Sequence, residues 1–164
     1  VQDAGVTPAI LLAKSAGIPH TVLSYAHDPR AASYGLEAAD ALGLDPDTVF
    51  KTLVVDVEGV GLACAVVPVS GTLDLKAVAD ALGGRRTKMA DQVAAERATG
   101  YVVGGISPLA QKKPLPVVLD ETAILYDRIH VSAGRRGLEI ALAADDLLRL
   151  TVGVLAPIGK PGQR

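Results

Sequence analysis

Apolar and polar positions alternate along this chain in two rhythms, and the change from one to the other marks the elements. Thr7-Pro8 caps and starts a first helix that carries Ile10, Leu11 and Leu12 and stops near Gly17. A strand from His20 to Tyr25 follows, then a connection through His27-Asp28-Pro29-Arg30, then a short Ala-rich helix from Leu36 to Leu42 ended by Gly43. Phe50 to Val57 and Val60 to Val67 read as two strands joined tightly through Glu58-Gly59, the clearest hairpin in the sequence. Asp74 caps a helix from Leu75 to Leu82, and beyond a polar, basic link Asp91 caps another from Gln92 to Ala98. Tyr101-Val102-Val103 reads as a buried strand running into Gly104-Gly105 and, two residues later, Ser107-Pro108.

The second half changes rhythm. Short strands are expected at Pro116 to Asp120, Arg128 to Ser132 and Leu138 to Leu142, a last helix at Asp145 to Leu150, and a loose Gly/Pro-rich tail over 157–164. With no repeat and no long linker, residues 1–164 are expected to form one mixed α/β or α+β domain.

Composition narrows what such a domain does. At 164 residues with 49% apolar content the chain is long enough for a sizeable core. With one Phe and no Trp, that core is filled by Val, Leu, Ile and Ala, which disfavours aromatic platforms for single-stranded nucleic acid. A net charge of -2 argues against indiscriminate binding to a phosphate backbone. The basic clusters Arg85-Arg86 with Lys88, Lys112-Lys113 and Arg135-Arg136 read equally as solvated surface or as parts of a patch. No apolar run is long enough to cross a membrane and the first residues do not read as a signal peptide, so a cytoplasmic location is expected.

Cys64 is the only cysteine, which rules out an internal disulfide and a multi-thiolate zinc site. It sits in Leu62-Ala63-Cys64-Ala65-Val66-Val67 and reads as a buried, inert thiol. His20, His27 and His130 are too scattered to suggest a metal set, and no G-x-S-x-G elbow occurs.

Three places carry candidate chemistry. The Gly104 to Pro108 loop offers backbone amides suited to a carboxylate, phosphate or developing oxyanion, or it is simply a turn. Strand periodicity puts Lys51 on the side of Leu53, Val55 and Val57, where an ammonium needs solvent, an acidic partner or a ligand. Ser132-Ala133-Gly134-Arg135-Arg136-Gly137 packs a hydroxyl, flexible backbone and guanidinium groups together, and Tyr25 ends a nearby strand with a further hydroxyl.

Taken in order, Phe50-Lys51-Thr52-Leu53, Ala90-Asp91, Thr99 through Pro108 and Val131 through Glu139 resemble the YbaK/EbsC family and the related editing domain of bacterial prolyl-tRNA synthetase. The resemblance runs from Thr7 through the final helix and is closest to the free-standing cysteinyl-tRNA(Pro) deacylases. It implies a small mixed α/β fold, a central mixed sheet or partial barrel flanked by helices, with no metal and no organic cofactor. By resemblance, Lys51 is the principal functional residue, Tyr25 and Ser132 line the pocket, and Gly104, Gly105, Ile106, Ser107 and Pro108 contact the aminoacyl end. Thr52 and Asp91 match pocket neighbours, and Arg135, Arg136, Lys112 and Lys113 are the candidates for touching tRNA.

The implied reaction removes cysteine wrongly esterified to proline tRNA by attack of the substrate's own thiol on its ester, giving a cyclic thiolactone. The implied partners are aminoacylated tRNA(Pro) and prolyl-tRNA synthetase, with no DNA and no membrane. Two residues depart from the family pattern: Glu139 where aspartate is frequent, and Ala133 where glycine is frequent. The sister branch, which releases alanine with water, remains an alternative, as does a non-catalytic module that binds a tRNA end or the synthetase.

Overall fold

A computed structural model describes residues 6–162. The expected hairpin is its centre: β2 (Phe50–Val57) and β3 (Gly61–Pro68) pair antiparallel in the register Val54 to Cys64. Because side chains alternate across a strand, this hairpin is buried on both faces. Phe50, Val54, Cys64 and Val66 face one apolar cluster. Val55, Val57, Ala63, Ala65 and Val67 face another, built on Val78 and Ala79 of helix α3 (Leu75–Leu82).

Two further strands, β5 (Thr87–Met89) and β6 (Val117–Asp120), flank the hairpin, and β9 (Val154–Ala156) completes a mixed five-stranded sheet in the order β5-β2-β3-β6-β9. The β3-β6 and β6-β9 pairs are parallel, the others antiparallel. A second sheet is antiparallel: β1 (His20–Ser24) and β7 (Ile129–Arg135) lie on either side of β8 (Leu138–Leu142). One parallel bridge, Val49 to His130, joins the second sheet to the entrance of β2. The result is the expected mixed α/β arrangement of a central sheet flanked by helices.

The helices begin and end where their side chains dictate. Thr7 Oγ1 accepts from the Ile10 amide at the start of α1 (Pro8–Ala16), and Asp74 and Asp91 cap α3 and α4 (Gln92–Thr99) in the same way. Helix α2 (Tyr34–Leu42) begins two residues earlier than the sequence suggests, because Ser33 caps it by accepting from the Leu36 amide. The last helix, α5, spans Ala144–Thr151.

Two expectations are corrected. Tyr101-Val102-Val103 is no strand: Gly105 donates back to the Val102 carbonyl and Val103 donates to Glu96 Oε2, which folds the run into turns. Its apolar character comes from Tyr101, which is buried with its hydroxyl donating to the Leu109 carbonyl at 2.8 Å. Nor is the tail loose over 157–162. Ile158 is fully buried, and β10 (Gly159–Pro161) pairs antiparallel with β4 (Gly71–Leu73). Residues 163–164 of the expected tail lie outside the described residues.

Candidate functional site

A cavity of about 430 Å³ opens where the two sheets meet, beneath the start of α2. Lys51, Thr52, Tyr25, Ser132, Gly104 and Ile106, six of the residues singled out in the sequence, line it. They come from four separate places: the start of β2, the residue just after β1, the middle of β7 and the loop after α4.

Lys51 reaches the cavity from the apolar side of β2, as its periodicity requires. It is half-buried, and its Nζ donates to the Gly71 carbonyl of β4 at 3.1 Å. Burial lowers its pKa from the ordinary lysine value, because the charged form has given up part of its hydration. Nearby, Gly35 lets α2 approach: a Cβ there would lie 2.3 Å from Val69 Cγ1 and 3.9 Å from the Lys51 Cβ.

The glycine loop supplies donors without side chains. Gly104 has φ +89, open to glycine and strained for others, and a Cβ on it would sit 2.8 Å from the ring of Tyr34. With the Val103 and Gly105 amides already engaged, those of Gly104 and Ile106 have no acceptor among the described residues. The residues that carry these two amides line the cavity, and Lys51 is the one Lys or Arg among the described lining residues.

The other wall carries hydroxyls and a carboxyl. Ser132 and Glu139 are direct cross-strand partners on β7 and β8, and Leu23 of β1 pairs with Glu139, so parity brings Tyr25, two residues on from Leu23, to the same face. Burial, with the charges of Glu139 and Glu37, pushes the Tyr25 phenol up to about 12, against a hydrogen bond from the Gly137 backbone. Tyr25 is therefore a neutral hydroxyl at any ordinary pH. Ser132 Oγ accepts from the Gly134 amide at 3.2 Å. Thr52 Oγ1 is buried and has no hydrogen-bond partner in the structure. Glu139 is buried to 6% exposure, which pushes its carboxyl up to about 8.

Other expected residues lie outside the lining. Asp91 is exposed and spends its carboxylate on the α4 cap, while its neighbours Ala90 and Gln92 face the cavity. Gly105, Ser107 and Pro108 support the loop from behind: Gly105 packs on the Arg135-Arg136 backbone, Ser107 Oγ accepts from the Leu109 amide, and Pro108 is buried. Arg136 turns inward, Nε donating to the Val103 carbonyl at 2.9 Å, whereas Arg135, Lys112 and Lys113 are exposed. Cys64 is fully buried away from the cavity, its Sγ accepting from Gln111 Nε2, and burial pushes the thiol up to about 11. The sequence reading missed Tyr34, Met89 and the burial of Glu139. Only the last left a signal, a single charge inside the apolar strand Leu138-Glu139-Ile140-Ala141-Leu142.

Among the described residues no cluster of three His, Cys, Asp or Glu side chains is arranged to hold a metal, and no helix is long and apolar enough to cross a membrane. Residues 28–150 match the model of the aminoacyl-tRNA editing domain. A protein of Enterococcus faecalis, EbsC, described as a deacylase of Cys-tRNA(Pro) and Cys-tRNA(Cys), is 42% identical over 120 residues, 73% of each chain. Two solved structures share the fold. The protein APE2540 superposes with a TM-score of 0.83 at 23% identity over 94% of this chain and 100% of its own. A protein described as a trans-editing enzyme for prolyl-tRNA synthetase gives 0.76 at 24% identity, over 94% of this chain and 99% of its own. The chain belongs to the aminoacyl-tRNA editing domain family. Within that class it is a member of the YbaK/EbsC group of trans-editing domains.

Proposed function

We propose that this chain is a single-domain trans-editing deacylase that removes cysteine from mischarged Cys-tRNA(Pro), the thiol of the substrate serving as nucleophile. The observation that carries the reading is the make-up of the cavity. Lys51, the Gly104 and Ile106 backbone and five hydroxyl-bearing residues (Tyr25, Ser33, Tyr34, Thr52 and Ser132) line it, while neither a Cys nor a His is among its lining residues. Ser132 is there without an imidazole to take its proton, and Cys64 is buried elsewhere with a raised pKa.

An aminoacyl ester whose own side chain is a thiol needs little more. Its sulfur, on giving up its proton, attacks the ester carbonyl carbon; the C–S bond forms, the C–O bond to the ribose breaks, and the ribose oxygen takes up a proton. The products are a thiolactone and free tRNA. Holding sulfur and carbonyl within reach supplies the proximity term, and the Gly104 and Ile106 amides stabilise the oxyanion. Lys51 neutralises charge near the terminal adenosine, while Tyr25, Thr52 and Ser132 shape the cavity and hydrogen-bond within it. The similarity to EbsC, described as acting on cysteine esters of two different tRNAs, favours a site that reads the amino acid and leaves the tRNA to a partner. The net charge of -2 and the inward-turned Arg136 support the same division, with prolyl-tRNA synthetase supplying the grip on tRNA.

The test is deacylation of Cys-tRNA(Pro) beside Ala-tRNA(Pro), by wild type, Lys51→Ala and Cys64→Ser, with the released product trapped. Thiolactone release, lost in Lys51→Ala and kept in Cys64→Ser, is the expected result. Preferential alanine release moves the chain to the water-using branch, and binding without turnover makes it a tRNA-end module.

A further inference from the structure

The cavity holds a carboxyl group that the reaction above does not use. Glu139 is the second residue of β8, between two fully or nearly fully buried apolar residues, Leu138 and Ile140, and its own exposure is only 6%. It nevertheless lines the cavity, facing the same space as Tyr25 and Ser132. Among the described residues no side chain forms an ion pair with it, and none donates it a hydrogen bond. Lys51, the cation of this cavity, is committed to the Gly71 carbonyl.

A carboxyl so placed is costly to the fold, since a buried acid without a cation keeps neither its hydration nor a partner. The cavity thus has an acid in its wall, the Gly104 and Ile106 backbone also in its lining, and no cation paired with that acid among the described residues. A ligand that develops negative charge at one atom and carries a positive charge three bonds away offers a partner to both kinds of group. An aminoacyl ester has that pattern: its carbonyl oxygen develops negative charge, and the carbon attached to the carbonyl bears an ammonium.

We propose that Glu139 receives the α-ammonium group of the aminoacyl ester, making the free amine a requirement for recognition in this cavity. The inference rests on the deacylase reading and deepens it, by assigning the group that distinguishes an aminoacyl ester from other small acyl esters. A side chain of either small amino acid leaves this contact unchanged, so Glu139 selects the backbone of the amino acid while the rest of the cavity selects its side chain.

Binding tests it without depending on turnover. Two stable analogues of the substrate end are compared, with 3'-amino-3'-deoxyadenosine acylated by cysteine or by 3-mercaptolactate, which replaces the ammonium with a hydroxyl of similar size. Wild type is expected to bind the amine about tenfold to a hundredfold more tightly, the range of a charge-assisted hydrogen bond in a buried site. In Glu139→Gln, which keeps the shape and cannot ionise, the two affinities should converge through weaker binding of the amine, while Glu139→Asp retains a preference. Equal affinities in wild type overturn the proposal even if Glu139→Gln fails to fold, and so does an undiminished preference in folded Glu139→Gln. Failure of the deacylase reading would appear separately, as an absence of ester cleavage with the amine preference intact.

Discussion

The guanidinium of Arg136 lies 4.8 Å from the ring centroid of Tyr34, over its face. Through this contact the turn between β7 and β8 holds down the first residue of α2, and the same guanidinium donates to the Val103 carbonyl beside the glycine loop. His27 packs against the other part of this arrangement, its ring 5.8 Å from that of Tyr34 and its Nδ1 2.8 Å from Glu37 Oε1. The rim of the cavity is thereby tied together by an arginine that sequence alone assigns to tRNA.

Replacing Arg136 with alanine should therefore loosen the rim and leave phosphate binding alone. The lost cation–π contact and hydrogen bond are together worth about 1–2 kcal/mol of stability. Urea unfolding measures that loss, and KM for the aminoacyl-tRNA should rise. The discriminating measurement is the dependence of KM on salt: a phosphate-contacting arginine reduces the slope by about one on removal, and here the slope should stay as in wild type.

Gly104→Ala places a methyl group into the Tyr34 ring and a non-glycine residue at φ +89. The backbone strain costs about 1–2 kcal/mol, and the displaced ring should lower kcat/KM by more than this. A double-mutant cycle with Tyr34→Ala separates the two parts. Removing the ring should recover the steric share of the stability loss and leave the backbone share.

Glu139 makes stability depend on pH with a definite sign. Its folded pKa, raised to about 8, lies above the ordinary value of 4.5, so between these values the unfolded chain has lost the proton that the folded chain keeps. Stability is then full below 4.5, falls as pH rises towards 8 by up to about 1.4 kcal/mol per pH unit, and levels off above. Urea midpoints taken across this range should fall for wild type and change much less for Glu139→Gln, with the variant the more stable of the two at alkaline pH.

Ile158→Ala distinguishes a packed segment from a loose one. A fully buried isoleucine cut to alanine costs about 2–5 kcal/mol, whereas the same change in an exposed tail stays within about 0.5 kcal/mol. Thermal or urea unfolding should return the larger figure.

Much of this was legible in the chain because it was written locally. The β2-β3 hairpin follows from two apolar runs with a Glu58-Gly59 turn between them, and the helix starts follow from Thr7, Asp74 and Asp91. The strands β4, β5, β9 and β10 went unread because each is three residues long, too short for any period to emerge. Tyr101 misled for the opposite reason: its apolar run is filled by tertiary packing against Gly134, which no local pattern reports. In the cavity, Lys51, Tyr25, Ser132 and Gly104 stood out through residue type and position. Tyr34 did not, because its place depends on α2 folding back over a loop some seventy residues further along the chain.

The pairing of β10 with β4 bears directly on Lys51. Gly71 is the residue whose carbonyl holds the Lys51 ammonium, and it is also the residue that faces Pro161 in that pairing, with so little room that a Cβ would lie 2.3 Å from the Lys160 carbonyl. Residues 159–161 thus serve as the backstop for the peptide on which the lysine rests. The parking position of the cation is set from behind, by a strand that lies outside the cavity lining.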